Sequence, residues 1–170
     1  LSSAASDVYK RQDVEWETRN DYLIVDFKQD KVEKEAWFDN SGTWYMTETD
    51  IPFAQLPDAV KTAFQQGEYS TWKVDDVDMI ERRDVETVYV IETEQGNSEV
   101  DLYYSPDGIL VKTVLDAGGN DGYEDFIPSQ PSSSVDAYVK EHYPSARILD
   151  IDREKGVTEV EILDLSLIHI

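Results

Sequence analysis

No cysteine occurs in the 170 residues, which removes disulfides, thiolate metal sites and cysteine nucleophiles at once. Histidine is nearly as scarce, with two in all, so imidazole clusters for proton relay or metal binding are out of reach. Basic residues number 15 against 37 acids, and the resulting net charge of −22 repels nucleic acid and anionic membrane surfaces. Apolar runs fall far short of the roughly 18 residues that a membrane-crossing helix needs. What is present is a 40% hydrophobic, 11% aromatic chain, rich enough to fold into one or two domains.

The two ends read differently from the middle. Residues 2–12, SSAASDVYKRQ, back-translate to the adaptor and transposase recognition end of sequencing libraries, and residues 165–170, LSLIHI, to its reverse complement. Segments 1–12 and 165–170 are therefore expected to be adaptor-derived and are set aside from fold reasoning. This leaves Asp13–Asp164 as the expected native stretch, a fragment of a longer reading frame. The acidity does not come from the ends, which hold Asp7, Lys10 and Arg11.

Two segments carry helical signals. In LPDAVKTAFQQG, Pro57 suits the first helical position, Asp58 complements the positive end of the dipole, and Gly67 can adopt the left-handed cap. Val60 and Phe64 fall on one face at i, i+4. In PSSSVDAYVKEHYP, serines offer caps, Val135, Tyr138, Val139 and His142 share a face, and Pro144 stops the run. Elsewhere the pattern alternates as strands do: Tyr22–Phe27, Val32–Phe38, Thr43–Thr47, Val85–Ile91, Glu99–Tyr104 and Ile109–Leu115. Asn40-Ser41-Gly42 and Pro106-Asp107-Gly108 are turn signals between such runs.

These pieces recur. EKEAWFDNSG at Glu33–Gly42 aligns without gaps to EVDLYYSPDG at Glu99–Gly108, and the two helical segments are each followed by an acidic strand, from Trp72 and from Ala146. The expected fold class is α+β, with tandem repeats of a short helix packed on a four-stranded antiparallel sheet. The expected divisions are 13–55 (strands of a truncated first repeat), 56–116 (a complete second repeat), 117–130 (a linker) and 131–164 (a truncated third repeat).

The sequence resembles the PepSY-like, beta-lactamase-inhibitor-like (BLIP-like) proteins of Bacteroidetes. The resemblance is carried by Leu56-Pro57-Asp58-Ala59-Val60, by Asp75-Asp76-Val77-Asp78, by Trp37-Phe38-Asp39-Asn40-Ser41-Gly42-Thr43-Trp44, and by Tyr103-Tyr104-Ser105-Pro106-Asp107-Gly108. It implies exported proteins of the periplasm or cell surface, and no catalytic residue transfers with it. Inhibition of an enzyme is the activity associated with the fold, but fold alone does not fix function.

Three constellations are candidates for function. The aromatics Trp37, Trp44, Tyr45, Trp72, Tyr103 and Tyr104 fall on strand-like segments, and an open sheet face bearing them would make a rigid platform for a protein partner. The plainer reading has them packing between repeats. The acidic groups Asp75, Asp76 and Asp78, and Asp116, Asn120, Asp121, Glu124 and Asp125, have the chemistry of a calcium site but not the spacing of a calcium loop, and a solvated acidic face accounts for them as well. Catalysis has no foothold: the sequence contains no Gly-rich phosphate loop, no His-Glu-x-x-His and no Gly-x-Ser-x-Gly, and His142 stands alone beside Tyr143. The expectation is therefore a non-enzymatic module without a cofactor. It binds a protein through an aromatic sheet face, with glycan binding or a purely structural role as the alternatives.

Overall fold

A computed structural model describes residues 14–19, 22–116, 133–154 and 157–164. The adaptor-like ends and the linker 117–130 lie outside the described residues. Strands β1 (Glu15–Arg19), β2 (Tyr22–Gln29), β3 (Val32–Asp39) and β4 (Trp44–Asp50) follow one another as antiparallel neighbours. A 3₁₀ turn at Phe53–Gln55 leads into α1 (Asp58–Gln66). Then come β5 (Lys73–Arg82), β6 (Val88–Gln95), β7 (Ser98–Tyr104) and β8 (Leu110–Asp116), again antiparallel in sequence order. Helix α2 (Ser133–His142) precedes a separate hairpin of β9 (Ala146–Glu154) and β10 (Val157–Asp164).

The expected fold class is corrected here. β4 does not end a small sheet; it pairs with β5 from Met46↔Arg82 to Asp50↔Asp78, joining all eight strands in the order β1 to β8. The described residues are mostly β, ten strands to two α-helices, and they do not divide into helices each on its own four-stranded sheet. The physical reason is the edge. An unpaired β4 would leave a row of backbone donors and acceptors without partners, and β5 returns from α1 in position to satisfy them.

Helix α1 forms between the expected ends, with Pro57 at the N-cap rather than the first helical position and Gly67 extended (φ −82°) rather than left-handed, and it buries Val60 (0% exposed) and Phe64. These join Leu56, Ile51, Val77, Ile91, Val100, Leu102 and Tyr104 in one apolar cluster, which defines the helix face of the sheet. Each buried side chain of this size contributes about 1.5–3 kcal/mol relative to exposure. Gly108 (φ +79°) allows the β7–β8 turn to press on the helix, because a Cβ there would lie 2.5 Å from the Ala59 carbonyl oxygen. The opposite face carries a second cluster of Ile24, Trp37, Met46, Ile80, Val88, Val90 and Tyr103, with Tyr22 and Tyr45 against it.

Arg82 ties the β9–β10 hairpin to the large sheet. Its side chain is fully buried; Nη1 meets Asp150 at 3.0 Å, and Nη2 donates to the carbonyls of Glu86 (2.9 Å) and Leu149. The Glu86 amide donates to the Ile148 carbonyl at 2.9 Å, and Arg147 pairs with Glu86 and Asp107. Burial lowers the Arg82 pKa while the Asp150 carboxylate opposes that shift, so the ion pair keeps the guanidinium charged out of water.

Candidate binding surface

Strand register assigns every side chain to a face. On the helix face of β1–β4, one cross-strand row runs Trp16, Val25, Ala36, Thr47, and the next runs Thr18, Leu23, Phe38, Trp44. The two tryptophans sit at opposite corners of this four-strand patch. Trp16 is 62% exposed and Trp44 36% exposed, the only exposed tryptophans among the described residues, while Val25 and Ala36 between them are buried. The Trp44 indole N–H donates to Thr47 Oγ1 at 2.8 Å, which fixes that ring over the end of the patch. None of these residues belongs to the two apolar clusters, and the α1 side chains pack on β5, β6 and β7 instead.

The six aromatic candidates do not share one surface. Trp37, Tyr103 and Tyr104 are buried, the first two in the opposite-face cluster and the third under α1. Tyr45 is the extra residue of a β-bulge at Trp37/Phe38, so it shares the face of Met46 and packs edge-on against Tyr22 at 5.5 Å. Trp72 is half-buried beside α1, edge-on to Tyr69 at 5.1 Å. Trp44 alone of the six lies on the exposed patch. Trp16, a strand tryptophan outside the six candidates, joins this patch through its place opposite Val25, which only register reveals.

On the opposite face the same four strands are acidic. A cleft of about 390 Å³ is lined by Glu15, Asp26, Glu33, Glu35, Glu48, Asp50, Asp76 and Asp78, with Lys28 and Lys34. Register places Glu15, Asp26, Glu35 and Glu48 directly opposite one another across β1, β2, β3 and β4. Burial raises the Glu35 pKa above the ordinary glutamate value, against the lowering effect of the Trp37 indole N–H that donates to it. Asp50 is raised as well, first by burial and then by repulsion from Asp76 and Glu33.

Of the calcium candidates, Asp76 and Asp78 line this cleft and Asp75 does not. Asp75 pairs with Lys73 at 2.9 Å, Asp76 Oδ1 accepts the Val77 amide at 2.8 Å, and Asp78 is buried in the cleft wall. Among the described residues no three acidic or histidine side chains are disposed to hold a metal ion. Asn120, Asp121, Glu124 and Asp125 lie outside the described residues, as does the side chain of Asp116. His142 stacks on Tyr138 with centroids 4.1 Å apart, and its Nδ1 lies 3.0 Å from the Tyr138 carbonyl oxygen.

Taken together, these features define an antiparallel-sheet protein with one helix over half of the sheet and an aromatic patch beside it. Residues 21–112 and 123–167 match the family described as "Putative beta-lactamase-inhibitor-like, PepSY-like", and the chain belongs to that family. It is similar to the crystal structure of a BLIP-like protein from Bacteroides fragilis, with 38% identity, a TM-score of 0.60, and coverage of 68% of this chain and 84% of that one. A DUF2874 family protein from Bacteroides ovatus gives 32% identity, a TM-score of 0.62, and coverage of 68% and 85%. A structure from Bacteroides eggerthii, described as that of putative periplasmic proteins, shares the fold at 20% identity and a TM-score of 0.60, covering 65% and 82%. No match was found among the curated proteins.

Proposed function

We propose that this chain is a non-catalytic module of the bacterial periplasm or cell surface that docks on a protein partner through the helix face of β1–β4. The observation that carries this reading is the pair Trp16 and Trp44, exposed on one face at the corners of a four-strand patch. Three strand spacings of about 4.8 Å and an offset of two residues along the strands set them roughly 16 Å from each other, within one compact docking surface. Tryptophan offers large contact area at low rotamer cost, and the acidic surroundings select a partner with a basic rim. The family adds support, since its name is that of an inhibitor-like fold, and an enzyme held inhibited is one form such a partner takes. Among the described residues no helix is long and apolar enough to cross a membrane.

The test is capture of partners from a Bacteroides envelope extract by the intact chain and by a Trp16→Ser/Trp44→Ser variant, with near-ultraviolet circular dichroism confirming the fold of both. Loss of a specific captured protein in the variant supports the reading. Equal capture by both chains overturns it.

A further inference from the structure

We infer that the row of carboxylates Glu15, Asp26, Glu35 and Glu48 is a proton-responsive element that loosens β1–β4 at neutral pH and tightens them on mild acidification. The geometry is unusual for a sheet. Directly opposed residues on neighbouring strands stand with Cβ atoms about 4.5–5.5 Å apart, and like charges in that position destabilise the pairing. Here the like pairs run through four consecutive strands without interruption: Glu15↔Asp26, Asp26↔Glu35, Glu35↔Glu48. The row lines an open cleft in which Asp26, Glu35 and Glu48 are half-buried, so water screens these three less than it screens fully exposed charges.

Charged groups of both signs face the row from the strands packed against it. From β1 come Glu17 and Arg19, which pair with each other at 2.6 Å; the Arg19 charge acts on Glu35, and its guanidinium lies 5.4 Å over the Trp37 ring. From β2 and β3, Lys28 pairs with Glu33 one step further along the strands, while Lys34, between Glu33 and Glu35, borders the cleft from a position that alternation assigns to the helix face. From β4 and β5, Asp50, Asp76 and Asp78 add negative charge, with Asp50↔Asp78 another like pair. Asp76 reaches this wall by alternation, two residues before Asp78 on β5.

The sign follows from where the protons sit. Glu35 and Asp50 hold protons more tightly folded than unfolded, so their penalty is full above their folded pKa values. It is relieved as the pH falls through those values toward the unfolded ones. At lower pH the opposite class takes over. Asp39, held down by the Ser41 hydroxyl, and Asp58, held down by Lys61, give up their stabilisation as pH falls through their depressed values. Stability therefore peaks in the mildly acidic range, above the region where Asp39 and Asp58 titrate.

The experiment is urea denaturation of the whole chain between pH 7.5 and pH 4.5, with Glu35→Gln, Asp26→Asn and a charge-matched control, Glu68→Gln, at an exposed site beyond α1. The wild-type midpoint is expected to rise by about 0.5 M on acidification before falling. Both row variants are expected to raise the midpoint at pH 7.5 and flatten its slope; the control is expected to leave the slope intact. Gln at position 35 still accepts from the Trp37 indole, so it keeps that contact. If all three variants act alike, the effect belongs to the net charge and the inference is lost. A midpoint that falls steadily from pH 7.5 also overturns it, as does a carboxyl NMR titration placing Glu35 at or below about 4.3, the ordinary glutamate value.

Discussion

The two halves of the large sheet are built from similar hairpins and put to different use. In β5–β8 the helix face is sealed by α1, and Val77, Ile91, Val100 and Leu102 form a dry interface with Val60 and Phe64. In β1–β4 the same face ends in Trp16 and Trp44, and the reverse face carries a row of acids beside the buried Ile24, Trp37 and Met46. The lesson is a division of labour within one continuous hydrogen-bonded sheet. The covered half supplies stability, and the half with exposed tryptophans and crowded charge gives up stability for surface chemistry.

The largest way to test that contrast is Phe64→Ala, which removes the helix's main anchor and is expected to cost about 3–5 kcal/mol in chemical denaturation. If it proves no more costly than a change at Trp44, the covered half is not the stabilising one. Next comes Asp150→Ala, which strips the buried Arg82 of its carboxylate. A loss of roughly 2–3 kcal/mol is expected, below the full value for a sealed pair because Asp150 retains some exposure. That loss should appear first as faster amide exchange in β9 and β10.

Smaller effects sharpen the other side. Asp30 and Lys31 form the two-residue turn between β2 and β3 with φ of 54° and 72°, a left-handed pair without glycine. Lys31→Gly is expected to stabilise by about 1 kcal/mol, read as a higher melting temperature, because it relieves the steric cost of that conformation. Last, Trp44→Ser should change stability by no more than about 0.5–1 kcal/mol, since the ring is a surface group held by one hydrogen bond to Thr47. A loss of several kcal/mol there would make Trp44 part of the core and remove it from the docking patch.

Much of the fold could be read from local pattern. Val60 and Phe64 at i, i+4 between Pro57 and Gly67 specify α1, and the alternation around Trp37 and Phe38 does place them on opposite faces. The likeness of Glu33–Gly42 to Glu99–Gly108 holds at the level of the hairpin, each of which bulges at its aromatic pair. It misled at the next level, because similar hairpins do not by themselves close into separate sheets when β4 and β5 can complete each other's edges. Alternation likewise yields two faces without saying which is covered, so Trp37 and Tyr103 read as surface candidates and are core. The bulge moved Tyr45 to the Met46 face, a shift no period-two pattern contains. The acid row was invisible for the same reason: Glu15, Asp26, Glu35 and Glu48 come together only through register.

The pairing of β4 with β5 has a consequence for anything that meets this protein. Eight strands locked edge to edge at about 4.8 Å give a plate roughly 34 Å wide. Its thick, helix-clad end and its thin, indole-bearing end are held at a set spacing. A molecule touching both must match that gauge in its own shape, since the plate has no swivel at its midline with which to adjust.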